Sequence, residues 1–171
     1  PLGYLLYRRM AFGLAYRNWL AALFAAPTVL LYPLVLVLFG RTYTAIAVMA
    51  FVTGIVPIVL GVRDGLASVP RVLLNVGRVF HLNRRQEFLQ IMLPAGAWTI
   101  FTGIRLGTIY ALLNVIGIEF LVNFGGLGYL VSSMYDRFDF AGMYAAVLFV
   151  ILICVSMLQS LNALERRLRP A

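Results

Sequence analysis

The side chains that could carry out acid–base, nucleophilic or metal chemistry are few in this sequence and far apart. The 171 residues include one His, one Cys and six acidic residues. His81 and Cys154 have no partner at metal-ligand spacing, and no Ser-His, Cys-His or paired-carboxylate arrangement accompanies them. The sequence therefore predicts no catalytic residue, no metal site and no cofactor, and it disfavours an enzyme.

Two ionisable residues, Arg105 and Glu119, lie within one long apolar segment. Their separation is roughly 21 Å along a helix, so they cannot pair with each other. Because a charged group inside a membrane span is costly, each is expected to face protein, a water-filled cavity or the membrane surface. Glu119 could line the outer gate of a pathway or form hydrogen bonds within a helix bundle. The alternative function is a secondary transporter or channel that uses Glu119 for ion or proton coupling.

The composition predicts that membrane-spanning helices position these residues. Hydrophobic residues make up 63% of the chain and charged residues 12%, as expected for a protein folded in a bilayer. Segments with the apolar length of a span, about 20 residues, are 19–39, 43–62, 98–122 and 140–161. The predicted fold class is all-α, a polytopic membrane helix bundle with residues 1–171 as a single transmembrane domain. Because the chain begins at Pro1 among apolar residues, we expect it to be N-terminally truncated.

Proline and glycine predict local features of these spans. Pro27 and Pro33 each remove a helix hydrogen bond, so the first span should be kinked or split. The short connection 40–43 predicts a tight helical hairpin, and GIRLG at 103–107 is a small-xxx-small pattern that predicts close helix packing. The broken span could expose carbonyl groups to a cavity, although ordinary kinked packing explains the same prolines. The candidate residues of a translocation path are Pro27, Tyr32, Thr108 and Glu119.

The placement of arginine predicts the orientation of the chain. All 14 basic residues are Arg, and the net charge is +8. Most of them lie before the first span, between the second and third spans, or after the last span, whereas Arg41 and Arg137 are alone in the other two connections. By the positive-inside rule, the 63–95 connection and the C-terminus are cytoplasmic. Topology and membrane lipid thus explain the charge, and no nucleic-acid partner is predicted.

The connection 63–95 is long for a link between spans, and its pattern predicts two short helices. The first begins near Pro70 and the second at a capping box opened by Asn83, with His81 at the joint and Pro94 as the end of the second helix. Apolar residues recur at helical spacing in the first helix: Val72, Val76, Val79 and Phe80. The pair could lie on the anionic inner leaflet, or it could dock on a soluble partner.

This connection resembles the cytoplasmic signature of the membrane subunits of bacterial ABC importers, the binding-protein-dependent permeases, whose pattern is EAA-x3-G-x9-I-x-LP. The spacing is matched by Asn75-Val76-Gly77 at EAA, His81 at the Gly, and Ile91, Leu93 and Pro94 at I-x-LP. The later GIEFLVNFGGLGYLV is similar to the family's AE followed by G-LG--I, and PTVLLYPLVLVLFG is similar to the nitrate, sulfonate and taurine branch. The resemblance extends over residues 11 to 169.

The resemblance implies a fold of the type I ABC importer permease kind and a transport mechanism by alternating access. A coupling helix at about 70–80 would insert into a groove of an ATPase subunit, where ATP hydrolysis occurs. Partners would be that ATPase, an extracytoplasmic solute-binding protein that delivers a small solute, and a second permease copy in the bacterial inner membrane. The residues implied in ATPase coupling are Arg71, Asn75, Val76, Gly77, Val79, Phe80, His81, Ile91, Leu93 and Pro94.

Two positions depart from the family pattern. Asn75 replaces the Glu, so an ionic contact with an ATPase arginine would become a neutral hydrogen bond. His81 replaces the Gly at the joint between the two helices. If that joint requires a positive φ, His is one of the few residues other than Gly that are enriched in such a conformation. The sequence therefore predicts a structural role for His81.

Overall fold

A computed structural model describes residues 3–4, 28–123 and 125–167, and within these ranges all regular structure is helical. A short 3-10 helix, Thr28–Leu31, leads into the first α-helix. The α-helices are α1 (Tyr32–Phe39), α2 (Tyr43–Ala67), α3 (Arg71–Val79), α4 (Arg84–Glu87), α5 (Leu93–Val122), α6 (Gly126–Asp136) and α7 (Phe140–Arg167). A π-helical segment, Phe88–Met92, joins α4 to α5. Stretches long and apolar enough to cross a membrane lie in Tyr43–Ala67, within Arg84–Asp136 and in Phe140–Ala163.

The described residues divide into two compact units. Unit 1 contains Ile55–Gly107 together with residues 3 and 4, and unit 2 contains residues 28–54 and those from Thr108 onward. Each unit has its own apolar core. The hairpin of α1 and α2 lies in unit 2, whereas the predicted helix pair of the 63–95 connection lies in unit 1.

The predicted hairpin between the first two spans is confirmed in unit 2. Its turn is made by Gly40, with φ +69°, and Thr42, whose hydroxyl donates to the Phe39 carbonyl at 3.1 Å. Residues of α1 and α2 pack together with Ile118 of α5 in one core: Tyr32, Ala45, Ile46 and Met49. The predicted break in the first span falls at the change from 3-10 to α-helix, where Pro33 occupies the first turn of α1. Pro27 lies outside the described residues.

In unit 1, α2 and α5 approach each other along a seam of glycines. A Cβ added to Gly61 would lie 2.5 Å from the Gly103 Cα, and one added to Gly96 would lie 2.6 Å from the Gly65 carbonyl oxygen. Only glycine permits such backbone proximity, as in small-xxx-small membrane packing. The packing role predicted for Gly103 is confirmed, and its partner motif, GVRDG at 61–65, was not predicted.

The prediction that Pro94 ends the second short helix is wrong. Pro94 is the second residue of α5, and the chain stays helical from Arg84 through the π-helical segment into α5. A proline ring normally clashes with the carbonyl four residues earlier and cannot donate a hydrogen bond. The π-helical turn widens the helix at this point, with the Leu93 N–H donating to the Phe88 carbonyl. The helix that contains the predicted third span, 98–122, therefore starts at Leu93.

Two other helices extend beyond the predicted segments, and one was not predicted. α2 continues past residue 62 to Ala67, and α7 continues past residue 161 to Arg167. The connection between the third and fourth predicted spans contains α6. Phe138, with φ +58°, lies in the turn that follows α6, and the Asp139 carboxylate then accepts from the Gly142 N–H at 2.9 Å in the first turn of α7.

Candidate functional site

The helix α3 is attached to unit 1 through a narrow inner face. Its Leu74 packs on a core formed by Leu66 of α2, Met92 of the π-helical segment and Ile100 of α5. Gly77, the only fully buried residue of α3, lies beside Ile91, so that an added Cβ would be 2.8 Å from the Ile91 Cδ1. Two signature positions are therefore in direct contact, which explains a small residue at the end of the EAA pattern.

The opposite face of α3 carries an apolar surface that we call the outer ridge. It consists of four residues, with exposed fractions of 70% for Val72, 44% for Val76, 75% for Val79 and 72% for Phe80. Four exposed arginines also lie on α3 and α4: Arg71, Arg78, Arg84 and Arg85. The sequence analysis identified the ridge residues as the apolar face but did not identify Leu74 as the residue that turns inward.

The joint after α3 has the hydrogen bonds of a Schellman motif. The Leu82 N–H donates to the Gly77 carbonyl at 3.0 Å, and the His81 N–H donates to the Arg78 carbonyl at 3.0 Å. His81 has φ +51°, the left-handed conformation that glycine adopts most easily. The prediction of a positive φ at this joint is confirmed, and a Gly at the corresponding family position has a clear physical reason.

The capping box predicted for the second helix is confirmed. The Asn83 Oδ1 accepts from the Arg85 and Gln86 N–H groups at 3.0 Å, and the Gln86 Oε1 accepts from the Asn83 N–H at 3.0 Å. These bonds satisfy backbone donors that a helix start leaves open. The joint is thus fixed on both sides of His81, by the end of α3 and by the start of α4.

The polar side chain of Asn75, on α3, is only weakly engaged by its neighbours. Asn75 is exposed, and its Oδ1 accepts from an Arg78 guanidinium nitrogen at 3.4 Å. At the end of α2, Arg63 and Asp64 form an ion pair at 3.2 Å. An ion pair between sequence neighbours whose carboxylate is about half exposed contributes little stability. The Asn75 amide therefore remains accessible to a docking partner.

A second arrangement lies in unit 2, where α6 starts against the end of α5. The Glu119 Oε2 accepts from the Gly128 N–H, in the first turn of α6, at 3.0 Å. Gly125 and Gly126 have φ +101° and +92°. A Cβ on Gly126 would overlap the Glu119 carboxylate, and one on Gly128 would overlap the Ile116 carbonyl oxygen. We call residues 119–123 and 125–132 the α5–α6 corner.

Other side chains reinforce this corner. The Ser132 hydroxyl donates to the Asn123 Oδ1 at 2.6 Å, and Asn123, the residue directly after α5, has φ +51°. Arg41, from the α1–α2 turn, donates to the carbonyls of Val122 and Asn123, the latter at 2.9 Å. A cation at the carboxyl end of a helix is favourable because the last carbonyls carry partial negative charge. Sequence reasoning missed Arg41, although it is the only charged residue of the GRTY turn.

The three candidate path residues that the structure describes lie in different surroundings. Tyr32 lies in the unit 2 core, 7% exposed, beside Ile118, whereas Thr108 borders an apolar cleft between α5 and α7 that includes Cys154 and Leu158. Glu119 caps α6 at the corner. No group of three or more His, Cys, Asp or Glu residues that could hold a metal occurs in the part of the chain that the structure describes.

The sequence is similar to those of known membrane transport proteins. The family model described as "Binding-protein-dependent transport system inner membrane component" matches residues 1–170. The nitrate import permease protein NrtB of Synechocystis sp. is 31% identical over 121 residues. The bicarbonate transport system permease protein CmpB of Synechococcus elongatus is 26% identical over 119 residues. These matches cover 71% and 69% of this chain but 44% and 43% of the relatives, so the chain spans less than half of their length.

A solved structure of the inward-facing MetNI methionine ABC transporter is similar in fold. The TM-score is 0.80 at 18% sequence identity, with 98% of this chain and 84% of that chain covered. At this identity the likeness concerns the fold alone. The all-α importer-permease fold predicted from the sequence is confirmed, and the comparison adds no information on solute or assembly.

Proposed function

Because the chain belongs to the family of binding-protein-dependent transport system inner membrane components, we propose that the protein is the permease subunit of an ATP-driven ABC importer. It moves a small solute, delivered by an extracytoplasmic binding protein, across the inner membrane by alternating access. ATP is hydrolysed in a separate ATPase subunit, and the permease itself is not an enzyme. The solutes named for the relatives, nitrate and bicarbonate, are the first to be tested.

The observation that carries this proposal is the two-sided character of α3. Its inner face is held by Leu74 and Gly77 on the core of unit 1, while the outer ridge remains exposed. An exposed apolar ridge on a short helix that also carries exposed arginines is the kind of surface that marks a protein interaction site. We assign α3 as the coupling helix, with the outer ridge inserted in a groove of the ATPase.

The attachment of α3 supports a mechanical role. Leu74 and the Gly77–Ile91 contact tie α3 to the π-helical segment, which continues directly into α5. When nucleotide binding closes two ATPase subunits, two such helices move with them, and the attached spans shift between inward-facing and outward-facing states. His81 and the capping box give the joint the stiffness that such a movement requires. Ile91, Leu93 and Pro94 supply the other half of the joint.

The assembly follows from the same assignment. We propose a homodimer of permeases with two ATPase subunits on the cytoplasmic side and one binding protein on the opposite side. The arginine-rich 63–95 region and the C-terminus face the cytoplasm, as the positive-inside rule indicates. Arg71 and Arg78 then border the ATPase, and Asn75 makes a neutral hydrogen bond there in place of an ion pair. Residues 1–171 form one transmembrane domain in this arrangement.

For the translocation path we propose the part of unit 2 that contains Tyr32, Thr108 and Glu119, together with Pro27. Tyr32 supports the proposal because its buried hydroxyl has no hydrogen-bond partner among the described residues, and an unpaired buried hydroxyl is unfavourable. A polar solute or water can supply the missing partner. Tyr32→Phe should therefore raise the KM for uptake without loss of assembly, and an unchanged KM would remove Tyr32 from the path.

The coupling assignment is tested by co-purification of the full-length protein with its ATPase and by uptake of labelled nitrate and bicarbonate in proteoliposomes. We expect Val76→Glu and Phe80→Glu to weaken ATPase binding by about tenfold or more, because a charge would enter the apolar contact. If both variants bind the ATPase normally, α3 is not the coupling helix.

Asn75→Glu is the matched control for charge. It places the same carboxylate on the neighbouring exposed position of α3, where the family pattern has Glu. Binding should be retained or strengthened in Asn75→Glu and lost in Val76→Glu. Equal losses in both variants would indicate a nonspecific effect of negative charge on a basic surface and would contradict insertion of the outer ridge.

A further inference from the structure

We propose that Glu119 is a positioning residue that caps α6 and thereby holds it on the end of α5, so that α6 follows α5 during transport. The part of this inference that concerns transport rests on the proposed function. The part that concerns the cap rests only on the contacts within unit 2. Glu119 acts through α6, and no direct contact with the solute is assigned to it.

The start of α6 lacks a cap of its own. Its N-cap residue is Gly125, which has no side chain to accept a hydrogen bond, and the first turn contains no acidic residue. The Glu119 carboxylate supplies the acceptor from the neighbouring helix, through its 3.0 Å bond with the Gly128 N–H. The negative charge also lies at the end of α6 where the helix dipole is positive. One carboxylate thus satisfies a first-turn donor and joins two helices.

The Glu119 contact gives Gly126 a steric reason, whereas Gly128 has a separate one in the α5 backbone. Gly126 adopts φ +92° and lies against the Glu119 carboxylate, where no Cβ could be placed. Gly128 lies against the backbone of α5 at the Ile116 carbonyl. These positions differ in their obstacle, which is a side chain for Gly126 and a backbone for Gly128. That difference allows the contact to be tested genetically.

The cap is placed where it can transmit movement. α5 is one helix from Leu93, which adjoins the π-helical segment, to Val122, and Glu119 is within its last turn. The Asn123–Ser132 hydrogen bond joins the same two helices close by. A displacement of the end of α5 therefore carries the start of α6 with it as long as these contacts hold. Without the cap, the contacts described between α6 and the end of α5 are the Asn123–Ser132 hydrogen bond and the close packing of Gly128 on the α5 backbone.

Disulfide formation measures the cap directly in the intact complex. In a cysteine-free background that includes Cys154→Ser, Asn123→Cys and Ser132→Cys replace two groups whose side-chain oxygens are 2.6 Å apart. Oxidation should link them rapidly. Glu119→Ala should slow this reaction by about tenfold, the size expected for loss of a cap, whereas Glu119→Gln keeps an acceptor and should remain within about twofold. An unchanged rate in Glu119→Ala would overturn the cap.

Substitutions of the neighbouring glycines distinguish loss of the cap from a general destabilisation of the protein. Gly126→Ala should slow disulfide formation in both backgrounds, because φ +92° is strained for Ala, but its effect should be smaller in the Glu119→Ala background, where the overlap with the carboxylate is gone. Gly128→Ala should add its full effect in both backgrounds, since its obstacle is the α5 backbone. Equal additivity of the two glycine substitutions would contradict the assigned geometry.

The transport role is read from the number of solute molecules moved per ATP hydrolysed. Simple misfolding lowers uptake and ATPase activity together and leaves this ratio unchanged, whereas loss of positioning lowers the ratio. We expect a lower ratio for Glu119→Ala and a nearly normal ratio for Glu119→Gln. If Glu119→Gln abolishes uptake while it retains the disulfide rate, Glu119 has an ion-coupling role instead. Failure of the protein to bind any ATPase would refute the proposed function but leave the disulfide result intact.

Discussion

The joint after α3 and the α5–α6 corner are built from the same parts and differ in what those parts contact. In both, a glycine lets two helices approach and a side chain caps the start of a helix. At the joint, the cap is local, from Asn83, and Gly77 faces the flexible end of Ile91. At the corner, the cap comes from the neighbouring helix, and Gly128 faces backbone.

Because of this difference, the region of α3 offers an exposed surface, whereas the corner is an internal contact between two helices. Few residues of α3 and its joint are packed inside the protein, and the outer ridge is left exposed to a partner. The corner turns its polar groups inward, toward α5 and α6. Substitutions in α3 should therefore affect binding more than folding, and substitutions in the corner should affect folding and the transmission of movement.

The largest effect is expected from a methyl group added at Gly128, and the matched substitution at Gly77 should have a much smaller one. Gly128→Ala should lower the free energy of unfolding in detergent by about 3 kcal/mol, because backbone of α5 cannot yield. Gly77→Ala should lower it by about 1 kcal/mol or less, since the Ile91 side chain can rotate away and the family pattern has Ala there. Thermal and denaturant unfolding of both variants would measure the difference, and equal losses would abolish the distinction between the two regions.

The two faces of α3 should respond differently to truncation. Leu74→Ala removes part of the unit 1 core and should cost about 2 kcal/mol of stability. Val72→Ala, at a residue that is 70% exposed, should leave unfolding nearly unchanged and weaken ATPase binding measured by titration. A stability loss in Val72→Ala similar to that of Leu74→Ala would mean that the outer ridge is packed within the permease itself.

The local cap at the joint should have a smaller effect. Asn83→Ala removes the side-chain acceptor of the capping box but keeps the backbone N–H that donates to the Gln86 Oε1, and it should lower the free energy of unfolding by about 1 kcal/mol. Asn83→Ser retains an acceptor and serves as the control, with a smaller loss. If the two variants unfold alike, the box contributes nothing beyond the packing of Leu82 and Ile91.

The smallest effect is expected at His81. His81→Gly removes the steric cost of the left-handed conformation but adds flexibility to the unfolded chain, so the net change should be about 0.5 kcal/mol or less. His81→Val should be worse by about 1 kcal/mol, because a β-branched residue is strained at φ +51°. A large loss of stability in His81→Gly would instead reveal a contact made by the imidazole.

Features that depend on neighbours in sequence were predicted well. The Asn83 capping box, the positive φ of His81 and the hairpin at residues 40–43 each follow from short-range sterics and hydrogen bonding, and each was confirmed. The glycine pattern at 103–107 also predicted close packing correctly at Gly103, although its partner on α2 could not be identified from one helix alone.

Features that depend on contacts between distant segments were missed. α6 has no N-cap side chain and begins at glycines, so the sequence around it resembles a loop until Glu119 is placed beside it. A proline such as Pro94 usually marks the end of a helix. Here the π-helical turn before it allows the chain to continue as α5. The inward turn of Leu74 depends on the core that α2 and α5 offer it.

The sequence by itself determined the membrane setting, the helical fold class, the family signature and the presence of a folded element at 63–95, because hydropathy, periodicity and spacing are properties of the chain. Only the tertiary structure decided which face of α3 is free and what Glu119 contacts. Burial and capping are relations between segments, and the free energy of a side chain depends on the atoms that surround it. From the sequence, Glu119 could line an outer gate or form hydrogen bonds within the bundle, and in the structure its carboxylate accepts a specific hydrogen bond at the start of α6.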